Sequence, residues 1–340
     1  MVAISDEDKD VKRIEDIKSY LSGIEINDCR NDLISSCMVR NIRVVGKYIY
    51  LKLFLGSDQL YLENKVKDAL KVFDWAEKIY IDVKQISGVK RTIAIGSGKG
   101  GVGKSSVTLG LALNLINKGF KVGVLDADVY GPNIPILLGL NEVDVLTNDV
   151  DNITKFVPIN YKGLQIMSVG MLAKREQSLA WRGPILTRLL NQFLYQVQWE
   201  DLDFLLIDLP PGTGDTQITI LQDSPTIGML LVTTSGIASL SDLSRTISMY
   251  KTFGMPILGV VENLSSFKCP CCESEYQLFA DKYSLNQYFS ESIPIISKIP
   301  ILFQEEKMNN ENPFVSSKYS FYFNEISNKI INLLHFNKMN

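Results

Sequence analysis

The sequence predicts an α/β protein: a mostly parallel sheet covered by helices on both faces, preceded by a small α/β domain. Three observations carry that expectation. From Arg91 onward, near-continuous apolar runs recur at Thr92–Ile95, Lys121–Leu125, Phe204–Ile207, Gly228–Val232 and Ile257–Val261, with apolar-periodic helices between several of them. Strands buried on both faces read this way, whereas one-sided strands alternate. The first run passes through a glycine-rich turn straight into a helical pattern. Upstream the rhythm differs, which divides the chain into units 1–88 and 91–340.

The small unit opens with Ile14, Ile17, Leu21 and Ile24 at helical spacing. Val39–Val45 and Tyr48–Leu55 follow as two strands joined through Gly46-Lys47, a hairpin signal. Leu62, Val66, Ala69, Leu70 and Phe73 mark a second helix, Ile79–Val83 a last short strand, and Ser87-Gly88-Val89 a linker.

Composition excludes several function classes. The 340 residues are 46% hydrophobic and 21% charged, values suited to a buried core, and the net charge is −3 without a dense Lys/Arg block. Nucleic acid and anionic membranes need a concentrated basic footprint, so neither is an expected partner. No uninterrupted apolar run reaches the ~18 residues of a membrane span. Met1–Lys18 alternates acidic and basic residues, unlike a signal or transit peptide, and a cytoplasmic location is expected. Five cysteines are few for a secreted scaffold, and three crowd into Cys269, Cys271 and Cys272, a pattern that suggests metal or redox chemistry. Cys29 and Cys37 close no ligand pattern and read as buried thiols, and the lone His335 as a bystander.

The glycine-rich turn is Gly96-Ser97-Gly98-Lys99-Gly100-Gly101-Val102-Gly103-Lys104-Ser105-Ser106, a P-loop. Its glycines let several backbone N–H groups wrap phosphates, Lys104 reaches the outer phosphates, and the Ser105 hydroxyl suits Mg²⁺. Asp126 and Asp128 end the next strand, where an open α/β sheet places its ligands. Asp208 ends Leu205-Leu206-Ile207 and is placed to hold Mg²⁺ through water. The loop after it, Pro210-Pro211-Gly212-Thr213-Gly214-Asp215, reads as a switch, with the Gly212 amide able to sense the γ-phosphate.

The sequence Lys99-Gly100-Gly101-Val102-Gly103-Lys104-Ser105 resembles the deviant Walker motif of the family that includes MinD, ParA, the nitrogenase iron protein and the Mrp-type carriers. That resemblance implies a homodimer closing around ATP, with Lys99 reaching the partner's nucleotide as an arginine finger does. It also implies Asp126 near Mg²⁺ and Asp128 orienting the attacking water. Three further signatures narrow the likeness to Mrp/ApbC iron–sulfur carrier ATPases over Arg91 to the C-terminus. They are Val129-Tyr130-Gly131-Pro132-Asn133-Ile134-Pro135, the Pro-Pro-Gly-Thr-Gly-Asp loop, and Glu262-Asn263-Leu264-Ser265-Ser266-Phe267-Lys268-Cys269-Pro270-Cys271-Cys272. In that family Asn263 would contact adenine and an Ile299-Pro300-Ile301 turn would flank the base.

The cysteines match the family's Cys-Pro-x-Cys, with Cys269 and Cys272 as ligands and Cys271 in the variable place. A 4Fe–4S cluster takes four thiolates, so the resemblance implies one cluster bridging two subunits and passed to apo iron–sulfur proteins. Four thiolates equally suit zinc. The sequence departs from the family at Glu273, where glycine is usual, at Leu278-Phe279-Ala280-Asp281-Lys282, and around Asn309 to Pro313. The small unit resembles the domain that precedes many Mrp-type ATPases, through Asp32-Leu33-Ile34 and Met38-Val39-Arg40-Asn41-Ile42. It lacks that domain's Asp-Pro-Glu, with Asp28-Cys29-Arg30 standing nearest, and a cysteine within Leu53 to Leu62, and reads as a docking surface. The alternative is a MinD/ParA-like positioning or partition ATPase. It calls for a basic surface or a lipid-binding helix, and the last helical pattern, Tyr319 to Phe336, is poor in basic residues.

Overall fold

A computed structural model describes residues 6–26, 32–140, 143–150, 153–173, 183–278, 293–301 and 317–334. Outside them fall Cys29 with Asp28 and Arg30, the stretch 279–282, Asn309–Pro313 and His335.

The small unit consists of α1 (Asp6–Leu21), β1 (Val39–Val45), β2 (Tyr48–Leu55), α2 (Tyr61–Leu70) and β3 (Lys78–Gln85). β1 and β2 form an antiparallel hairpin and β3 lies parallel to β2. Ile17 and Leu21 of α1 and Leu62, Val66 and Leu70 of α2 bury against Ile49, Leu51 and Leu53, so the period-2 and helical patterns meet in one core. On the opposite sheet face the Tyr50 and Tyr80 rings stack 4.9 Å apart.

The expected linker is a tight turn. Val89 already opens β4 (Val89–Gly96), and Gly88, at φ +74°, sits where a Cβ would strike the Trp199 carbonyl. Ser57 donates its amide to the Val89 carbonyl at 2.8 Å, and Arg91 lies 2.7 Å from Asp58, so the two units are tied on both sides of this turn.

The remaining elements are α3 (Lys104–Asn117), β5 (Val122–Asp126), α4 (Ile134–Leu137), β6 (Leu146–Val150), β7 (Ile153–Val157), β8 (Ile159–Tyr161), β9 (Leu164–Ser168), α5 (Val169–Ala173), α6 (Gly183–Tyr195), β10 (Leu202–Asp208), α7 (Asp215–Asp223), β11 (Thr226–Thr233), α8 (Ile237–Thr252), β12 (Ile257–Lys268), β13 (Glu275–Gln277), β14 (Ile295–Ile301) and α9 (Ser317–Leu333). The main sheet runs β13-β12-β11-β4-β10-β5-β9-β8, with β14 paired to β12, while β6 and β7 form a separate antiparallel ribbon. The five strands anticipated from apolar runs are the contiguous parallel centre, β12-β11-β4-β10-β5. Their carboxyl ends bring the P-loop, Asp126 and Asp208 to one rim.

Ile299-Pro300-Ile301 forms the end of β14 rather than a turn. Ile299 pairs with Asn263 and Ile301 with Phe267, with a register break between, so the residue lacking an N–H falls at an irregularity that tolerates it.

α3 packs between the sheet and α9 across Gly110, where a Cβ would land on the buried Phe323 ring. Gly110→Ala is therefore expected to lower stability by about 1–3 kcal/mol. The shift should appear as a lower urea midpoint at constant m-value. An unmoved midpoint would show that Phe323 swings clear.

Candidate functional site

β4 ends at Gly96 and α3 starts at Lys104, so the intervening loop must fold back over the strand end. Gly101 and Gly103 do this at φ +79° and +82°, a region closed to most side chains. The main-chain amides of Gly100 to Ser106 find no acceptor among the described residues. These unspent donors, at the positive end of α3, face a cleft of about 280 Å³ lined by Lys99, Lys104, Ser105, Asp128, Asn133 and Pro211, among others. A wider hollow of about 1040 Å³ over Tyr50 and Tyr80 is lined by Arg43, Lys52 and Lys67 together with Glu63 and Asp82, mixed charges with no glycine-loop amides among them.

Lys104 is buried, with Nζ 2.8 Å from Asp208 Oδ2 and 3.8 Å from Asp128 Oδ2. Neither approach has hydrogen-bond geometry, so its charge is matched while its donors are unspent. Asp208 accepts from Ser105 Oγ at 2.6 Å and from Thr108 Oγ1 at 2.8 Å. Asp126 is fully buried, close enough to Lys104 and Asp208 to feel both charges. Its oxygens accept from the amides of Asp128 and Ile134, both at 3.2 Å, and from Ser168 Oγ at 3.0 Å. Burial, with the Asp208 charge, pushes the Asp126 carboxyl up to about 7 against the pull of Lys104. Asp128 is also raised by burial, with Lys104 opposing.

The amides and Lys104 thus fit a polyphosphate chain, and the hard oxygens of Ser105 and Asp208 fit Mg²⁺. Lys99 is exposed on the cleft rim, and its ammonium has no partner among the described residues. Gly98 lies under α8, where a Cβ would meet the backbone of Asp242 and Leu243. Asn263 donates Nδ2 to the Val102 carbonyl at 2.9 Å and so grips the P-loop main chain. Pro300 is not on the cleft wall. The Gly212 amide is bonded to the Ser97 carbonyl at 2.9 Å, which closes the switch loop against the P-loop.

Two polar members escaped the sequence reading. Thr108 carried a signal, standing four residues after Lys104 and so on the same face of α3. Ser168 carried none, because β9 brings it to Asp126 only through the sheet.

β12 continues past Asn263 and delivers Cys269 to a turn that returns as β13, with Lys268 opposite Glu275. Cys269 N donates to the Ser274 carbonyl and Glu273 N to the Cys269 carbonyl, both at 2.9 Å. Glu273 sits at φ +57°, which gives a physical reason for glycine at this place. Cys269 is half-buried and Cys271 and Cys272 are exposed. The Ser274 hydroxyl, 3.3 Å from Cys272 Sγ, draws that thiol below its ordinary pKa, with the Cys269 side chain assisting. Cys37, expected buried, is half-buried and donates Sγ–H to the Gly254 carbonyl at 2.6 Å, on the ATPase unit.

The family described as "ParA: NUBPL iron-transfer P-loop NTPase" matches residues 88–334. The iron-sulfur cluster carrier protein of Aquifex aeolicus is 42% identical over 236 residues, covering 69% of this chain and 64% of its own length. That of Helicobacter pylori is 35% identical over 84% of this chain and 82% of its own. The iron-sulfur cluster transfer protein NUBPL of Dictyostelium discoideum is 36% identical over 85% and 90%. A nucleotide-binding protein of Archaeoglobus fulgidus, solved with ADP and cobalt, superposes with TM-score 0.53 and 31% identity over 74% of this chain and 92% of that one. MinD of Pyrococcus horikoshii with Mg-ADP, at TM-score 0.50 and 22% identity over 72% and 96%, shares the fold.

Proposed function

The chain belongs to the NUBPL-type iron-transfer P-loop NTPases of the ParA family, and from that premise we propose that it is a cytoplasmic, ATP-dependent carrier that binds a labile iron–sulfur cluster and passes it to apoproteins. One observation carries the reading: β12 bears both Asn263, which grips the P-loop, and the cysteine turn. In the relatives' names the cargo is an iron–sulfur cluster, and the Cys269/Cys272 pair offers it soft thiolate ligands. One chain offers the Cys269/Cys272 pair, and a second copy would bring the other two thiolates that a four-thiolate cluster takes. Large apolar side chains close in sequence to cleft-lining residues stay exposed and suit contact with a second copy: Tyr130, two residues after Asp128, at 80%, and Ile136, beside Leu137, at 60%. Closure of that pair places Lys99 over the partner's phosphates.

Within each cleft, the P-loop amides and Lys104 hold the phosphates, and Ser105 and Asp208 hold Mg²⁺. When bound, that ion offsets charge on the phosphate oxygens. Asp126 orders the loop that carries Asp128, through the Asp128 and Ile134 amides. Asp128 orients the attacking water, its raised pKa suiting it to accept a proton. Asp128→Ala is expected to bind Mg-ATP normally while turnover falls at least about 100-fold. Near-normal turnover would move that role to another residue.

The function itself is tested by anaerobic purification and reconstitution, with iron, labile sulfide and zinc measured together. Iron and sulfide near two cysteine pairs per cluster, transferable to an apoprotein, are expected. Stoichiometric zinc without sulfide would overturn the cargo and leave the ATPase standing.

A further inference from the structure

We propose that Arg40, on the small domain, is a positioning residue for nucleotide hydrolysis, acting through α7 on the switch loop; this rests on the ATPase reading above. The Arg40 guanidinium leaves its own unit and caps the far end of α7. Nη1 donates to the carbonyls of Leu221 at 2.8 Å and Ser224 at 3.2 Å, Nη2 to that of Thr226 at 2.6 Å, and Nε to that of Cys37 at 2.8 Å. Its planar face lies 4.1 Å from the Phe54 ring centroid. A cation at a helix C-terminus is favourable, but among the described residues no carboxylate pairs with it, and burial pulls its pKa down to about 10. An apolar contact would join the two units at less desolvation cost. What the fork adds is geometry, since three carbonyls of one chain turn can meet a rigid guanidinium in only one orientation.

Two further observations point the same way. The segment that presents Arg40 is held in costly backbone, with Cys37 at φ +51° and Asn41 at φ +54°, and the β1–β2 register breaks between Arg40 and Arg43. Such strain persists only where surrounding contacts fix it. The same end of α7 is gripped by Lys52, 3.0 Å from Asp223, and by the Tyr195 hydroxyl on the Asp223 carbonyl.

α7 is the element that can relay this. Its nine residues span about 13 Å, and its first residue, Asp215, directly follows the switch glycines. Near its start, Gln217 donates to the Pro210 carbonyl and accepts from the Tyr250 hydroxyl at 3.0 Å. Pro211 lines the cleft and Gly212 closes on Ser97. A short helix pinned at one end sets the position of the loop at the other. Small misplacements near a reacting group are costly in rate.

The test uses the full chain with Mg-ATP. Arg40→Met is expected to lower kcat about tenfold while KM stays within about twofold, and Arg40→Lys, which keeps one donor group, to recover part of the loss. Amide exchange in the unmodified protein supplies an arm independent of folding defects. A non-hydrolysable ATP analogue should slow exchange at Cys37–Arg43 as well as in α7. Unchanged kcat in Arg40→Met, or exchange at Cys37–Arg43 indifferent to nucleotide, overturns the positioning role alone. An unmodified protein that binds Mg-ATP without hydrolysing it overturns the ATPase reading, and this role with it.

Discussion

Lys104→Ala is expected to weaken Mg-ATP binding by more than about 100-fold, or roughly 3 kcal/mol. Lys104 is the buried cation against Asp208 and Asp128, so its loss both removes a phosphate contact and leaves carboxylates facing an anionic ligand. Lys99→Ala separates the two lysines. Lys99 is exposed and makes no ion pair among the described residues, so its own cleft should bind nucleotide within about threefold of the unmodified affinity. Hydrolysis should instead fall about 1000-fold, the scale of a charge supplied in trans to the transferring phosphoryl group. Nucleotide titration beside single-turnover rates decides the matter. Equal loss of binding in both variants would show that Lys99 acts within its own chain.

Cys269→Ser and Cys272→Ser are each expected to strip the cluster, because in a two-fold dimer one substitution deletes two of four thiolates. Cys271→Ser should keep most of it. The turn is closed by main-chain bonds at Cys269 and Glu273, and the Ser274 hydroxyl and the Cys269 side chain act on Cys272. Iron, sulfide and dimer mass should be followed together after anaerobic reconstitution. Metal lost only in Cys271→Ser would reassign the ligands.

The legible part of the fold was its centre. β4, β5, β10, β11 and β12 are covered on both faces, so burial itself writes their apolar runs into the chain. The flanking strands carry weaker marks. β8 and β13 have three residues each, and β6 reads Leu-Thr-Asn-Asp-Val, with most side chains toward solvent. Pro300 disguised β14, because a register break can accept a proline that regular pairing would reject. Within the site, the P-loop was legible because backbone shape demands its glycines. The grip of Asn263 on Val102 and the partnership of Ser168 with Asp126 arise from distant segments converging, which spacing along the chain does not encode. Arg40 lies in the segment Met38-Val39-Arg40-Asn41-Ile42, where no spacing marks a role for it; its reach to α7 is wholly tertiary.

β12 has a thermodynamic consequence. From Asn263 the chain runs along the last part of β12 to Cys269, one residue past its end, and extended backbone scarcely stretches along its axis. The strand is irregular at Leu264, held at φ +52° at a cost of about 1–2 kcal/mol, within the register break against β14 between Asn263 and Phe267. A P-loop that shifts on filling its cleft moves Asn263, and with it the base of the cysteine turn. Linkage then requires reciprocity: whatever factor nucleotide imposes on the affinity for cargo, cargo imposes on the affinity for nucleotide. A protein loaded at the thiols and one freed of cargo should give different ATP dissociation constants, and their ratio measures the coupling from either end.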